Sequence, residues 1–238
     1  MKHAINGSGG TGILVPIPSG SLISNVHVHN GTLKGFAIGI DLSTVASEIN
    51  DMTISGNQAT PGYYSIRIAN GQQNILMNNV IHDSNVYVTS GGNMLTNNTL
   101  QNSSILIALG GNNLVIGNTL NGGRIELDGS GSNIIQDCVV SKGGGIFANG
   151  PGASGNLIRT NTVNNNIGDG IAMGEHATEN TITENTILRN GQYDLFIDET
   201  LTGGAFWHAC LETSFGNTFN SIGVFPPTDP GGCIGKLQ

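Results

Sequence analysis

Asn93-Met94-Leu95-Thr96-Asn97-Asn98-Thr99-Leu100 recurs 20 residues later as Asn113-Leu114-Val115-Ile116-Gly117-Asn118-Thr119-Leu120. Two more copies are Asn156-Leu157-Ile158-Arg159-Thr160-Asn161-Thr162-Val163 and Asn180-Thr181-Ile182-Thr183-Glu184-Asn185-Thr186-Ile187. Weaker copies begin at Ser21, Ser47, Asn74 and Asn133. From Asn74 onward the leading positions are 19, 20, 20, 23 and 24 residues apart, so the period drifts without failing. Such a period marks a repeat architecture, whose unit buries its apolar face only by stacking on its neighbours.

Aligned copies make columns. The first is Ile23, Ile49, Leu76, Leu95, Val115, Ile135, Ile158 and Ile182; the second is Val28, Ile54, Ile81, Leu100, Leu120, Val140, Val163 and Ile187. Each coil then turns into a third strand: Ile38-Gly39-Ile40, Ile66-Arg67-Ile68, Val86-Tyr87-Val88, Ile105-Leu106-Ile107, Ile125-Glu126-Leu127, Ile146-Phe147-Ala148, Ile171-Ala172-Met173 and Leu195-Phe196-Ile197. Alternation of period two points the flanking aliphatics inward and the middle residue outward. Eight coils of three short strands, stacked ~4.8 Å apart, make an all-β rod roughly 38 Å long around one aliphatic core.

Between the first two columns run Val26, Met52, Asn79, Asn98, Asn118, Cys138, Asn161 and Asn185. A stacked amide donates to one neighbouring coil and accepts from the other, satisfying turn groups that would otherwise be buried unpaired. These asparagines are therefore read as structural, and Cys138, in their line, as a buried and inert thiol.

The segment His29-Asn30-Gly31-Thr32-Leu33-Lys34-Gly35-Phe36-Ala37-Ile38-Gly39-Ile40, followed by Met52-Thr53-Ile54-Ser55-Gly56-Asn57, resembles the right-handed parallel β-helix (pectate-lyase-like) proteins, above all secreted bacterial members of unassigned activity. The resemblance spans roughly residues 3–200 and implies the right-handed coil, in accord with the usual crossover rule. It transfers no activity. The paired aspartate and arginine motifs of pectate lyases are missing, as are the Asn-Thr-Asp and Gly-His-Gly patterns of polygalacturonases.

Composition sets further bounds. The chain has 238 residues, enough for one domain, with a net charge of −8. It lacks the basic footprint that nucleic acid or anionic lipid requires, and no stretch approaches a transmembrane span. The expected division is a helix over 1–200 and an irregular cap over 201–238. Trp207 and the phenylalanines of that cap would cover the last coil, with Asn217-Thr218-Phe219 as a final degenerate repeat. Cys210 and Cys233 are expected to pair as a disulfide, the alternative being two free thiols. A disulfide implies an oxidising compartment, so the protein is expected to be secreted or periplasmic, with further coils and a signal upstream of residue 1.

No short catalytic motif is present. Candidate chemistry falls on the outer face of the third strands, which lines the sugar groove in the enzymes this chain resembles. Its central column reads Gly39, Arg67, Tyr87, Leu106, Glu126, Phe147, Ala172 and Phe196, flanked by Asp41, Thr89, Asp128, Asn149 and Asp198 on one side and by Asn85, Arg124 and Asp194 on the other. Glu126 and Asp128, with backbones ~6.7 Å apart on one face, could act as general acid and base, as in inverting glycoside hydrolysis; the alternative is a solvated acid pair balanced by Arg124 and Arg67. Arg67, Tyr87, Arg124, Phe147 and Asn149 would hold the sugar, the rings by stacking. The expected partner is a polysaccharide, with no cofactor and no metal. The competing class is a non-catalytic structural or adhesive module. His27, His29 and His82 lack a fixed ligand spacing and read as surface residues. The threonine column at positions 53, 99, 119, 162 and 186 raises ice binding, against which its mixed and partly charged neighbours argue.

Overall fold

A computed structural model describes residues 3–16, 23–56, 64–174, 176–198 and 216–225. Among these residues every element is a β-strand and the strand pairs are parallel. Three sheets run the length of a solenoid of about eight turns. The first holds eight strands, from His27–His29 to Thr181–Thr183. The second holds ten, from His3–Asn6 to Thr218–Phe219, and the third ten, from Thr11–Val15 to Ile222–Phe225.

The expected inner columns pair rung by rung. Leu76 lies beside Leu95, then Val115, Ile135, Ile158 and Ile182. All six are at most 1% exposed, as are Leu100, Ile125 and Val163 in the other two sheets. Asn217 and Thr218–Phe219 extend the second sheet past Thr186–Leu188, as the degenerate last repeat suggested. The expected disulfide partners, Cys210 and Cys233, and the aromatic residues Phe206, Trp207 and Phe215 lie outside the described residues.

The first coil corrects the expected alignment. Val28 pairs with Ile49 and so belongs to the first column, and Leu33 pairs with Ile54 in the second. Val26 takes the leading position, its N–H donating to Ser47 Oγ, and Gly31 takes the ladder position, donating to Met52 Sδ. This coil carries no amide at either signature site, so Ser21 offered a false start. In the third sheet Ile40, Asp41 and Leu42 lie beside Ile66, Arg67 and Ile68, two residues on from the expected Ile38-Gly39-Ile40. Ile38, Ile40 and Leu42 alternate, and a two-residue slip leaves a period-two pattern intact.

Asparagines stack at all three corners. Between first and second strands, Asn98 Oδ1 accepts from the N–H and Nδ2 of Asn79 at 3.0 and 2.9 Å, while its own Nδ2 donates to Asn118 Oδ1 and Leu76 O at 2.9 and 3.0 Å. Before the first strand, Asn74, Asn93, Asn113, Asn133, Asn156 and Asn180 form a second ladder of the same kind. After the second strand, Asn166 donates to Asn190, and Asn190 to the Asp194 carboxylate. Asp194, expected on the outer face, is therefore an inward ladder end, 2% exposed.

Cys138 interrupts the first ladder. Its N–H still donates to Asn161 Oδ1 at 2.9 Å, but its Sγ sits 3.3 and 3.5 Å from the carbonyls of Gln136 and Val115. Burial pushes the thiol up to about 11, which keeps it protonated and inert at neutral pH. An asparagine here would rejoin Asn118 to Asn161. Cys138→Asn should therefore raise stability by about 1 kcal/mol, read as a rise of roughly 2–4 °C in the melting temperature.

Candidate functional site

The third sheet presents an outward central row of Leu14, Asp41, Arg67, Tyr87, Leu106, Glu126, Phe147, Ala172, Phe196 and Gly223, one residue per coil. Gly39 is not in it. With neighbours ~4.8 Å apart, such a row tracks a straight polymer laid along the helix axis.

Two groups stand on this row. Nearer the N-terminal end, Arg67 Nε donates to Asp41 Oδ1 at 2.9 Å and its Nη2 to Oδ2, a forked ion pair. Asp41 is 5% exposed, and its hydrogen bonds hold the Arg67 guanidinium above its ordinary pKa. Beside it the rings of Tyr64 and Tyr87 stack with centroids 4.7 Å apart and planes 12° from parallel. Burial first, then Tyr64 and the Asp128 carboxylate, raises the Tyr87 hydroxyl above its usual range, so it remains a hydrogen-bond donor at neutral pH.

Two coils on lies the second group. Arg124 Nε and Nη2 both reach Glu126 Oε2, at 2.8 and 2.7 Å. In the next coil Phe147 lies beside Glu126 and Asn149 beside Asp128. Gly174 makes room for both. A Cβ there would stand 2.6 Å from Asn149 Oδ1 and 3.2 Å from Phe147 Cζ, so the ring and amide lean together over bare backbone. At the far end Tyr193 stacks on Phe196 at 5.9 Å, and a Cβ at Gly223 would meet the Tyr193 ring at 2.5 Å.

Of the expected residues, Glu126, Asp128, Arg124, Phe147 and Asn149 come together on two adjacent coils. The backbones of Arg67 and Tyr87 lie three and two coils back, across Leu106; the Tyr87 hydroxyl still feels the Asp128 charge, whereas Arg67 serves Asp41 rather than the Glu126–Asp128 pair. Tyr64 and Tyr193 escaped the sequence reading because they lie outside the alternating triplets. An aromatic just before each triplet was the available signal. A shallow depression of about 240 Å³ beside Ile75, Met94 and Leu114 lies on the first sheet instead and holds no ionisable side chain.

A family model described as periplasmic copper-binding protein (NosD) matches residues 23–221. Among solved structures, the catalytic domain of a GH87 α-1,3-glucanase in complex with nigerose is similar at 13% identity and a TM-score of 0.65, over 94% of this chain and 52% of that one. A variant of the periplasmic alginate epimerase AlgG is similar at 14% identity and a TM-score of 0.52, over 74% of this chain and 52% of that one. The chain thus spans about half the length of both, and the likeness concerns the fold. No curated protein matches.

Proposed function

The chain belongs to the NosD family, and from that premise we propose that it is a secreted or periplasmic β-helix that holds a polysaccharide along its third-sheet face. The observation that carries this reading is the straight outward row, with stacked or leaning rings at Tyr87, Phe147 and Phe196 and the ion-paired arginines Arg67 and Arg124 on the same face. Flat rings bind sugar faces, and phenol, guanidinium and amide groups reach sugar hydroxyls. The glucanase and the epimerase, each named for a polysaccharide, support the choice of ligand class.

Copper, which the family description names, finds no fitting donor set among the described residues. Among the described residues no three His, Cys, Asp or Glu side chains converge. His27 and His29 share one strand of the first sheet, with His27 3.7 Å from Glu48, whereas His82 belongs to the second sheet. The Cys138 thiol is buried and protonated.

Glu126 and Asp128 are the residues proposed as general acid and base should the bound chain be cleaved, with Arg124, Phe147 and Asn149 positioning it and Arg67 and Tyr87 two to three coils away. A panel of polysaccharides, scored for new reducing ends and for unsaturated products, tests this. The expected result is turnover that falls at least about 100-fold in Glu126→Gln, the ordinary worth of a general acid or base. Binding without turnover in the parent would leave the face a recognition surface, the adhesive reading. No binding at all would remove the proposal.

A further inference from the structure

The charges of the third-sheet face narrow the glycan. Among the described residues of that sheet the only cations are Arg67 and Arg124. Each is already held by a carboxylate on the same face, Arg67 by Asp41 through two hydrogen bonds and Arg124 by Glu126 through two contacts on one oxygen. Asp128 adds a further carboxylate to the face. These three carboxylates against two guanidiniums leave a formal balance of −1, within a chain of net charge −8.

A sugar carboxylate needs a donor cation to replace its water. Here it would have to displace Asp41 or Glu126 from its arginine, and then sit against the released carboxylate. A neutral sugar meets no such obstacle. Its hydroxyls can accept from the outer N–H groups of the paired guanidiniums, donate to Glu126 and Asp128, and lay a ring face on Phe147.

We infer that this face takes an uncharged glycan and rejects polyuronates. The inference rests on the glycan reading above and assigns the selectivity to the two ion pairs. Paired arginines act as oriented hydrogen-bond donors without net charge, so the affinity for a neutral chain should hardly respond to salt.

The test is calorimetric titration of the whole chain with a neutral gluco-oligosaccharide and with an alginate oligosaccharide of equal length. The neutral ligand should bind at least about tenfold more tightly, and its affinity should change less than about twofold between low and high salt. Glu126→Gln, which frees the exposed Arg124, should improve alginate binding about fivefold, a gain lost at high salt. Asp41→Asn should do the same for Arg67, and having two variants guards against one that folds poorly. Alginate bound as tightly as the neutral sugar would overturn the inference while leaving the glycan reading standing. A neutral preference that neither variant relaxes would overturn the role given to the ion pairs. If neither sugar binds, the glycan reading itself fails.

Discussion

Replacing Asn98 with alanine should destabilise the protein by about 4 kcal/mol, a fall of roughly 8–16 °C in the melting temperature. The side chain makes four hydrogen bonds inside the stack, two accepted from Asn79 and two donated, to Asn118 and to the Leu76 carbonyl. Alanine strands those partners at positions where Asn79 and Asn118 are fully buried. Buried groups left unpaired cost ~1–3 kcal/mol each, and partial relaxation of the turn keeps the total below the sum. Gln101→Ala, on the exposed face of the adjoining strand, should move stability by no more than about 0.5 kcal/mol. Urea titration of both variants checks the contrast. Equal midpoints would mean that the amide column is ornament on a self-sufficient aliphatic stack.

Asp194→Asn should cost about 3 kcal/mol, although asparagine is the residue that serves elsewhere in the ladders. Mid-ladder, a side chain meets an acceptor on one side and donors on the other, which an amide matches. Asp194 meets donors on both. Its Oδ1 accepts from Asn190 N and Nδ2 at 3.1 and 3.0 Å, and its Oδ2 from the N–H groups of Asn220 and Ser221 at 2.8 and 3.3 Å. An amide there would point an NH₂ at two N–H groups. The damage should centre on the last coil, because Asn220 and Ser221 join its two strands, Thr218–Phe219 and Ile222–Phe225. Hydrogen exchange should therefore show lost protection at residues 216–225 while Leu100 and Leu120 stay protected. Uniform loss along the rod would contradict the role of Asp194 as a local terminator.

How far the sequence could be read depended on the number of copies. Asn-x-aliphatic-x-x-Asn repeats often enough to set strand order, inner columns and the first amide ladder, because each copy confirms the others. The third ladder escaped notice because its donors are only Asn166 and Asn190, and the same column holds glycine at 123 and 143. The first coil misled because Val26 and Gly31 replace both signature amides. The same weakness reached the site. Periodicity placed Glu126 and Asp128 outward side by side, but a two-residue slip of period-two sequence put Gly39 where Asp41 stands, hiding the partner of Arg67. Asp194 shows the opposite limit. Parity predicts the face a strand residue takes, yet this residue stands just before its strand, Leu195–Asp198, where the corner turns it inward.

Radical footprinting of the protein with a neutral gluco-oligosaccharide bound tests the third-sheet assignment most directly. Protection should follow one line through Tyr64, Tyr87, Phe147 and Phe196, leaving Met77 and Met94 on the first sheet as reactive as in the free protein. Protection of those methionines, with the aromatic line untouched, would put the ligand on the wrong side of the rod and end the case for this face.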